Sequence, residues 1–425
     1  MNGSDPATAA TEKHERRSAA AGLVRTLTLT HAVLYGVGVT VGAGIYVLIG
    51  AAAAASGYSA PLAFVMAAVL MLITGASFAE LASRMPVAAG EAAYVRAAFG
   101  SPALALAVGL LVAAIAIVSA AAISVGSAGY IGVFVPLPSE VIIAAVVLAM
   151  GAIAALGIRQ SVSFAGLMTL IEIAGLLLIV LASAAAGPEL ITRLPEAVPT
   201  SLDPVAWAGV LSATLLAVFA FIGFESLANV AEEVENPQRT LPRAIFLTLA
   251  LTTLLYVLVV WVALVAVGPG DLARSEAPLA LVFERLTGAS PRIMSAIAIV
   301  ATVNGVIVQI IMASRVLYGL AGQGSLPPAL GAVNPLTRTP LAATSLAGAA
   351  VLVLALFLPL ERLAELTARC TLLLFAVVNA ALIALKARDR ESAPPDGIFV
   401  VPRWVPWAGV ASTLALLVAE IAIWT

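Results

Sequence analysis

Charge is what this sequence most lacks. Lys, Arg, Asp and Glu together make up 10% of its 425 residues, where ordinary soluble domains carry about 25%. Hydrophobic residues make up 62%, and the mean hydropathy is +1.10. A soluble surface must stay polar, so this excess cannot be hidden in one core, and the lipid bilayer is the expected solvent. One cysteine, Cys370, excludes a disulfide framework and a cysteine-rich metal site. Two histidines, His14 and His31, are too few for a zinc centre or a triad hydrolase. No catalytic residue, metal or cofactor is therefore expected. The net charge of −2 points to no nucleic-acid partner.

What is present is a series of long apolar runs. A helix crossing the hydrocarbon needs roughly 20 apolar residues. That criterion places spans at 29–50, 61–83, 102–127, 140–157 and 163–186, then at 205–231, 243–268, 292–320, 340–358, 363–386 and 404–424. The predicted class is all-α, with about 11 transmembrane helices and no period-two alternation of the barrel kind. Residues 1–25 read as a polar cytoplasmic tail, 26–400 as a ten-span core, and 401–425 as one additional helix. The first apolar run lacks a small-residue cleavage site and reads as a span rather than a signal peptide. Basic residues set the orientation. Lys13, Arg16, Arg17, Arg25, Arg84, Arg96, Arg159, Arg239, Arg243, Arg315, Arg338, Lys386, Arg388, Arg390 and Arg403 fall on one side. The other side holds Arg193, Arg274, Arg285, Arg292 and Arg362, so the N-terminus is expected in the cytoplasm and Thr425 outside.

Two spans carry signs of interruption. The first contains Gly36, Gly38, Gly42 and Gly44 within GVGVTVGAGIY, and each glycine weakens a helix by about 1 kcal/mol relative to alanine. One reading is a discontinuous helix whose second start, near Gly44, offers free N–H groups to a carboxylate. The other is close helix packing through Gly38 and Gly42 at small-xxx-small spacing. The sixth span adds Gly223 beside Glu225 in FAFIGFES. An ionisable group inside a span is a functional hypothesis by default, and matching interruptions in two halves point to a transporter binding site.

The stretches VGAGIYVLIG (41–50), FAELASRMPVAAGEAAYVRAAFG (78–100), FAFIGFESLANVAEEVENPQRTLPRAI (219–245) and ASRVLYGL (313–320) occur in this order. Together they resemble the amino acid–polyamine–organocation (APC) permeases, near the cationic amino acid transporter branch. The resemblance implies a LeuT-type five-plus-five inverted repeat, 29–186 and 205–386, with helices 1 and 6 discontinuous. It implies a secondary transporter of amino acids, with cationic ones or polyamines among the candidates, working by symport or exchange. It further implies a substrate carboxylate on the amides of Gly42, Ala43 and Gly44, within a Thr40–Val41–Ile45 neighbourhood. The amine would meet the carbonyls of Thr40, Phe219 and Ile222 beside Gly223, with the Phe219 ring as a lid. Most such permeases have twelve spans, whereas eleven are read here.

Several polar residues remain to be placed. Glu172 lies deep in the fifth span, where the resemblance puts a lysine in many proton-coupled relatives. It reads either as a proton carrier or as a neutral carboxyl bonded to a neighbouring helix. Glu225 reads as a second coupling acid or as a partner for freed backbone. Asn304 reads as a substrate or ion contact, or as interhelical glue. Glu80 and Glu420 are expected at the membrane interface, and Glu232, Glu233 and Glu235 in a charge cluster with Arg239 and Arg243. Arg369 enters the tenth span, where outward snorkelling is the reading offered for it. Substitution at Gly44 is expected to block binding and spare folding. Proton is the first candidate for coupling ion and sodium the second. The expected partners are a small amino acid or amine and the bilayer, with a homodimer left open, in a plasma or bacterial inner membrane. A non-transporting membrane sensor or a sodium-coupled symporter is the alternative.

Overall fold

A computed structural model describes residues 25–86, 90–157, 162–187, 189–199, 203–389 and 397–424. The tail expected over 1–25, except Arg25, lies outside the described residues, as do Arg159, Arg390 and Thr425. Apolar helices succeed one another as α1 (Leu29–Ser56), α2 (Ala60–Arg84), α3 (Pro102–Gly132), α4 (Ser139–Leu156) and α5 (Val162–Ala182). They continue as α6 (Pro204–Phe221), α7 (Pro237–Val267), α8 (Arg292–Gly322), α9 (Leu341–Phe357), α10 (Leu360–Arg388) and α11 (Trp404–Trp424). Their starts follow ordinary capping chemistry. Ser101 and Asp203 accept from the N–H groups of Leu104 (3.3 Å) and Val205 (3.1 Å), each with a proline at the first helical position.

Among the described residues, seven helical stretches are long and apolar enough to cross a membrane, α1 and α2 counting together as Leu29–Arg84. α5, α9 and α11 contribute shorter apolar helices. The fold is therefore all-helical and membrane-embedded, and the expectation of eleven crossings goes beyond what length and composition decide.

Helices from the two halves of the chain pack in register. α1 lies against α6, α2 against α7, α3 against α8 and α4 against α9. Elements near a two-fold axis meet their own counterparts in this way. Among the described residues α5 and α10 share no comparable interface. α1 is central, touching α5, α6, α7 and α8.

The two acids expected at the membrane interface are both covered by protein. Glu80 is fully buried. Its carboxylate takes Arg84 at 2.7 Å, Lys386 at 2.8 Å and the Val401 N–H at 2.8 Å, joining α2, α10 and the chain leading into α11. Glu420 is 2% exposed and pairs with Arg369, which also meets Glu365 at 3.2 Å. Both residues sit near helix ends, but neighbouring segments cover them, and a buried charge needs a partner. The same contacts account for Arg369. Glu233 and Glu235 contribute main-chain bonds: the Glu233 carbonyl accepts from Thr26 and Leu27 N–H, and Glu235 N–H donates to the Leu27 carbonyl, all at 2.9 Å. They tie the start of α1 to the segment after α6.

Candidate functional site

Both expected interruptions are present. Within α1, Gly42 has φ −25° and ψ −137°, far from helical values. α6 ends at Phe221; Ile222 is extended, and Gly223 has φ 134° before a 3-10 helix runs from Phe224 to Glu233. Only glycine adopts that φ without strain. The breaks also face each other. A Cβ on Gly223 would stand 2.7 Å from the Val39 carbonyl oxygen and 2.9 Å from Thr40 N.

A helix break inside a membrane releases polar backbone groups that must find partners. The Gly223 N–H donates to Glu225 Oε2 (2.9 Å), and the Ser226 N–H to the Gly223 carbonyl (3.0 Å). Tyr256, projecting from α7, places its hydroxyl 2.7 Å from the Thr40 carbonyl and 2.8 Å from that of Ala220. One proton is thus shared between carbonyls from the two interrupted helices. Thr40 Oγ1 turns away and donates to the Gly36 carbonyl at 2.8 Å.

The residues expected to bind substrate divide by environment. Val41 and Ile45 are fully buried in the main core, so only their backbone is open to a ligand role. Ala43 and Phe219 belong to a separate apolar cluster that includes Ala120, Ile123, Val306 and Ile310, with Ile222 packed against it. Gly42 is open, since a Cβ there would meet nothing within 4 Å. Gly44 is not, and this corrects an expectation: its Cβ would stand 2.8 Å from Ala220 Cα, against the backbone of α6. A side chain at Gly44 would strike the α1–α6 contact, so folding would not be spared. Gly38 is likewise packed, against Thr169 of α5. The two readings of the glycine run therefore apply to different glycines.

Glu172 and Asn304 are brought together. Glu172 is 1% exposed; its Oε1 lies 3.4 Å from Asn304 Nδ2, and its Oε2 has no hydrogen-bond partner among the described residues. Tyr46 of α1 donates to the Glu172 main-chain carbonyl at 2.6 Å, and Tyr130 of α3 donates to the Tyr46 carbonyl at 2.5 Å. The carboxyl thus sits where α1, α5 and α8 meet. Next to Asn304, Gly305 lets α8 approach: its Cβ would stand 3.1 Å from Ala43 Cβ and 3.2 Å from Ile123 Cδ1.

Sequence reasoning gave Tyr46 and most other aromatics no role beyond packing or interface anchoring, although a hydroxyl within an apolar run is the same kind of signal that drew attention to Glu172. A cavity of about 560 Å³ between α1, α5 and α7 is lined by Val33, Val37, Leu177, Leu254 and Leu258 among others, with Thr30 its one polar residue. It offers nothing to a zwitterion, whose charges need polar partners. The paired breaks do.

Comparison with known proteins agrees. Residues 25–423 match the family described as Amino acid permease. The chain belongs to that family. It is a transmembrane permease of the APC superfamily, a transporter and not an enzyme, and the family implies the LeuT-type fold. The permease is 32% identical over 409 residues to an uncharacterized transporter of Mycobacterium tuberculosis, covering 94% of this chain and 90% of the relative. It is 29% identical over 398 residues to the branched-chain amino acid permease BcaP of Bacillus subtilis, covering 87% and 82%. It is also 29% identical over 400 residues to the vacuolar cationic amino acid transporter 2 of Arabidopsis thaliana, covering 88% of the permease and 61% of that protein.

Proposed function

We propose that this permease is a secondary active transporter that moves amino acids by alternating access around the paired breaks at Gly42 and Ile222–Gly223. The facing breaks, held by one tyrosine hydroxyl, carry this reading. The substrate carboxylate sits at the open side of Gly42, and the amine meets carbonyls beside Phe219 and Ile222. Repeats 29–186 and 205–386 surround the site, supported by the packing of α1 to α4 against α6 to α9. Eleven crossings with a cytoplasmic N-terminus complete the arrangement. The basic residues Arg84, Lys386 and Arg388 gather at one end with the α2 and α10 C-termini, which supports that end as the cytoplasmic one.

The substrate side chain would lie toward Ala43, Ala120, Ile123, Phe219, Val306 and Ile310. That wall is apolar and favours an uncharged side chain over a cationic one, because a buried ammonium without a partner is costly. Glu172 carries the coupling proton in this reading, supported by a carboxylate oxygen that is unpartnered among the described residues. Purified permease in liposomes, given a panel of labelled amino acids with and without sodium and over a range of pH, tests the reading. Uptake of leucine, isoleucine or valine that rises as external pH falls and ignores sodium is expected. No uptake of any amino acid would refute transport, and sodium-dependent uptake flat with pH would refute proton coupling. Uptake of lysine or arginine in preference would refute the apolar wall as selector.

A further inference from the structure

A second acid lies between the site and the end of the bundle assigned above to the cytoplasm. The short helix Gly90–Phe99 connects α2 to α3 and packs against α10, α3 and the 3-10 helix Phe224–Glu233. Its first turn carries Glu91, 5% exposed and hydrogen-bonded to its own backbone. Glu91 is close enough to Glu225, the acid at the α6 break, for the two carboxylates to repel each other. The helices meet closely there: a Cβ on Gly90 would stand 2.6 Å from Asn229 Oδ1. Tyr94, one turn on and fully buried, presents a hydroxyl that has no hydrogen-bond partner among the described residues and lies within the electrostatic reach of Glu91.

A buried carboxylate is ordinarily neutralised by a cation, yet among the described residues none serves Glu91. From α10, Lys386 is held by Glu80, Asp389 pairs with Arg84, and Arg388 bonds the Ala97 carbonyl at the far end of the short helix. α3 contributes only Tyr130, bonded to Tyr46. The 3-10 helix offers Glu225, Glu232 and Glu233, all acids, and Arg96 on the same short helix is exposed. Among the described residues no ion pair includes Glu91. Burial pushes its carboxyl up to about 7.

We propose that Glu91 is a proton-accepting site which, with Glu225, relays the coupling proton between the interrupted helices and the cytoplasm. The inference rests on the proton-coupled reading above. A proton leaving Glu225 is taken by the ionised Glu91 carboxylate, and the resulting neutral acid returns it to cytoplasmic water. Repulsion between the two carboxylates favours one shared proton over none. The unpartnered Tyr94 hydroxyl gives the ionised form of Glu91 a donor within its own helix.

The test uses the full-length protein in liposomes with labelled leucine (or arginine, should the panel select a cationic substrate) and a trapped pH dye. Net uptake driven by a proton gradient is compared with exchange of internal for external leucine, which requires no net proton movement. Glu91→Gln should slow net uptake and dye-reported proton entry about tenfold or more, while exchange stays within about twofold. Glu91→Asp, which keeps an acid, should restore much of the net uptake. Wild-type net uptake and an unchanged internal-pH profile in Glu91→Gln would overturn the relay and leave proton coupling standing. Equal loss of exchange and net uptake in both variants would make Glu91 a structural residue and overturn it also. A wild-type protein that carries leucine without moving protons would refute the coupling itself, and the relay with it.

Discussion

Gly42 and Gly44 sit two residues apart and respond differently to a side chain. At Gly44 a Cβ meets the backbone of α6 at Ala220, which cannot move aside as a flexible side chain would. Gly44→Val is expected to destabilise the protein by about 1–3 kcal/mol or more, seen as a lower unfolding temperature in detergent. At Gly42 there is room, but only glycine readily holds the non-helical dihedrals. Gly42→Val should lower the unfolding temperature less than Gly44→Val and weaken substrate binding about tenfold or more, measured by equilibrium binding; wild-type affinity would assign the carboxylate site elsewhere. Glu172 offers a third contrast. Its Oε2 has no partner, so replacing it with an amide leaves packing largely intact and removes the titrating group. Glu172→Gln should retain leucine exchange but lose the rise of net uptake at low external pH, and an unaltered pH profile would pass the proton to Glu225.

At the scale of the helix, the interruptions in α1 and α6 depend on a third element. α7 is continuous and supplies Tyr256, whose hydroxyl serves carbonyls released by both breaks. Tyr256→Phe keeps the ring, which packs edge-on to Phe64 and Phe221, and withdraws the one proton. The expected cost is about 1–3 kcal/mol, with faster escape of bound substrate because the broken segments are less well held; a variant with unchanged stability and retention would mean that water replaces the hydroxyl. The breaks themselves were legible in the sequence, because glycine clusters and an intramembrane acid are local signals. The partner that steadies them was not, since nothing near Tyr256 in the chain announces which helices it will face. The same limit explains Glu80. Its position near the end of an apolar run suggested the interface, and only the return of α10 and Val401 over it makes it a buried charge. Gly44 read as a candidate opening for the same reason: spacing shows that a residue is small, while the neighbour that fills its space comes from a distant helix.

At one end of the molecule α2, α10 and the chain before α11 share a single carboxylate, that of Glu80. Glu80→Ala should cost about 3–5 kcal/mol, because Lys386 would be left without its counter-charge in a buried setting while Arg84 keeps Asp389; a loss no greater than that of a surface pair would show the cluster to be solvated. The four matched interfaces, α1 with α6 through α4 with α9, run between the halves rather than within them. Each half therefore keeps its principal packing surfaces for the other, much as one strand of a zipper does. Cut in the connection between α5 and α6, near residues 188–202, the protein should become two fragments that aggregate or are degraded when made separately. Made together, they should recognise each other in the membrane and rebuild an active carrier without a covalent bond between them.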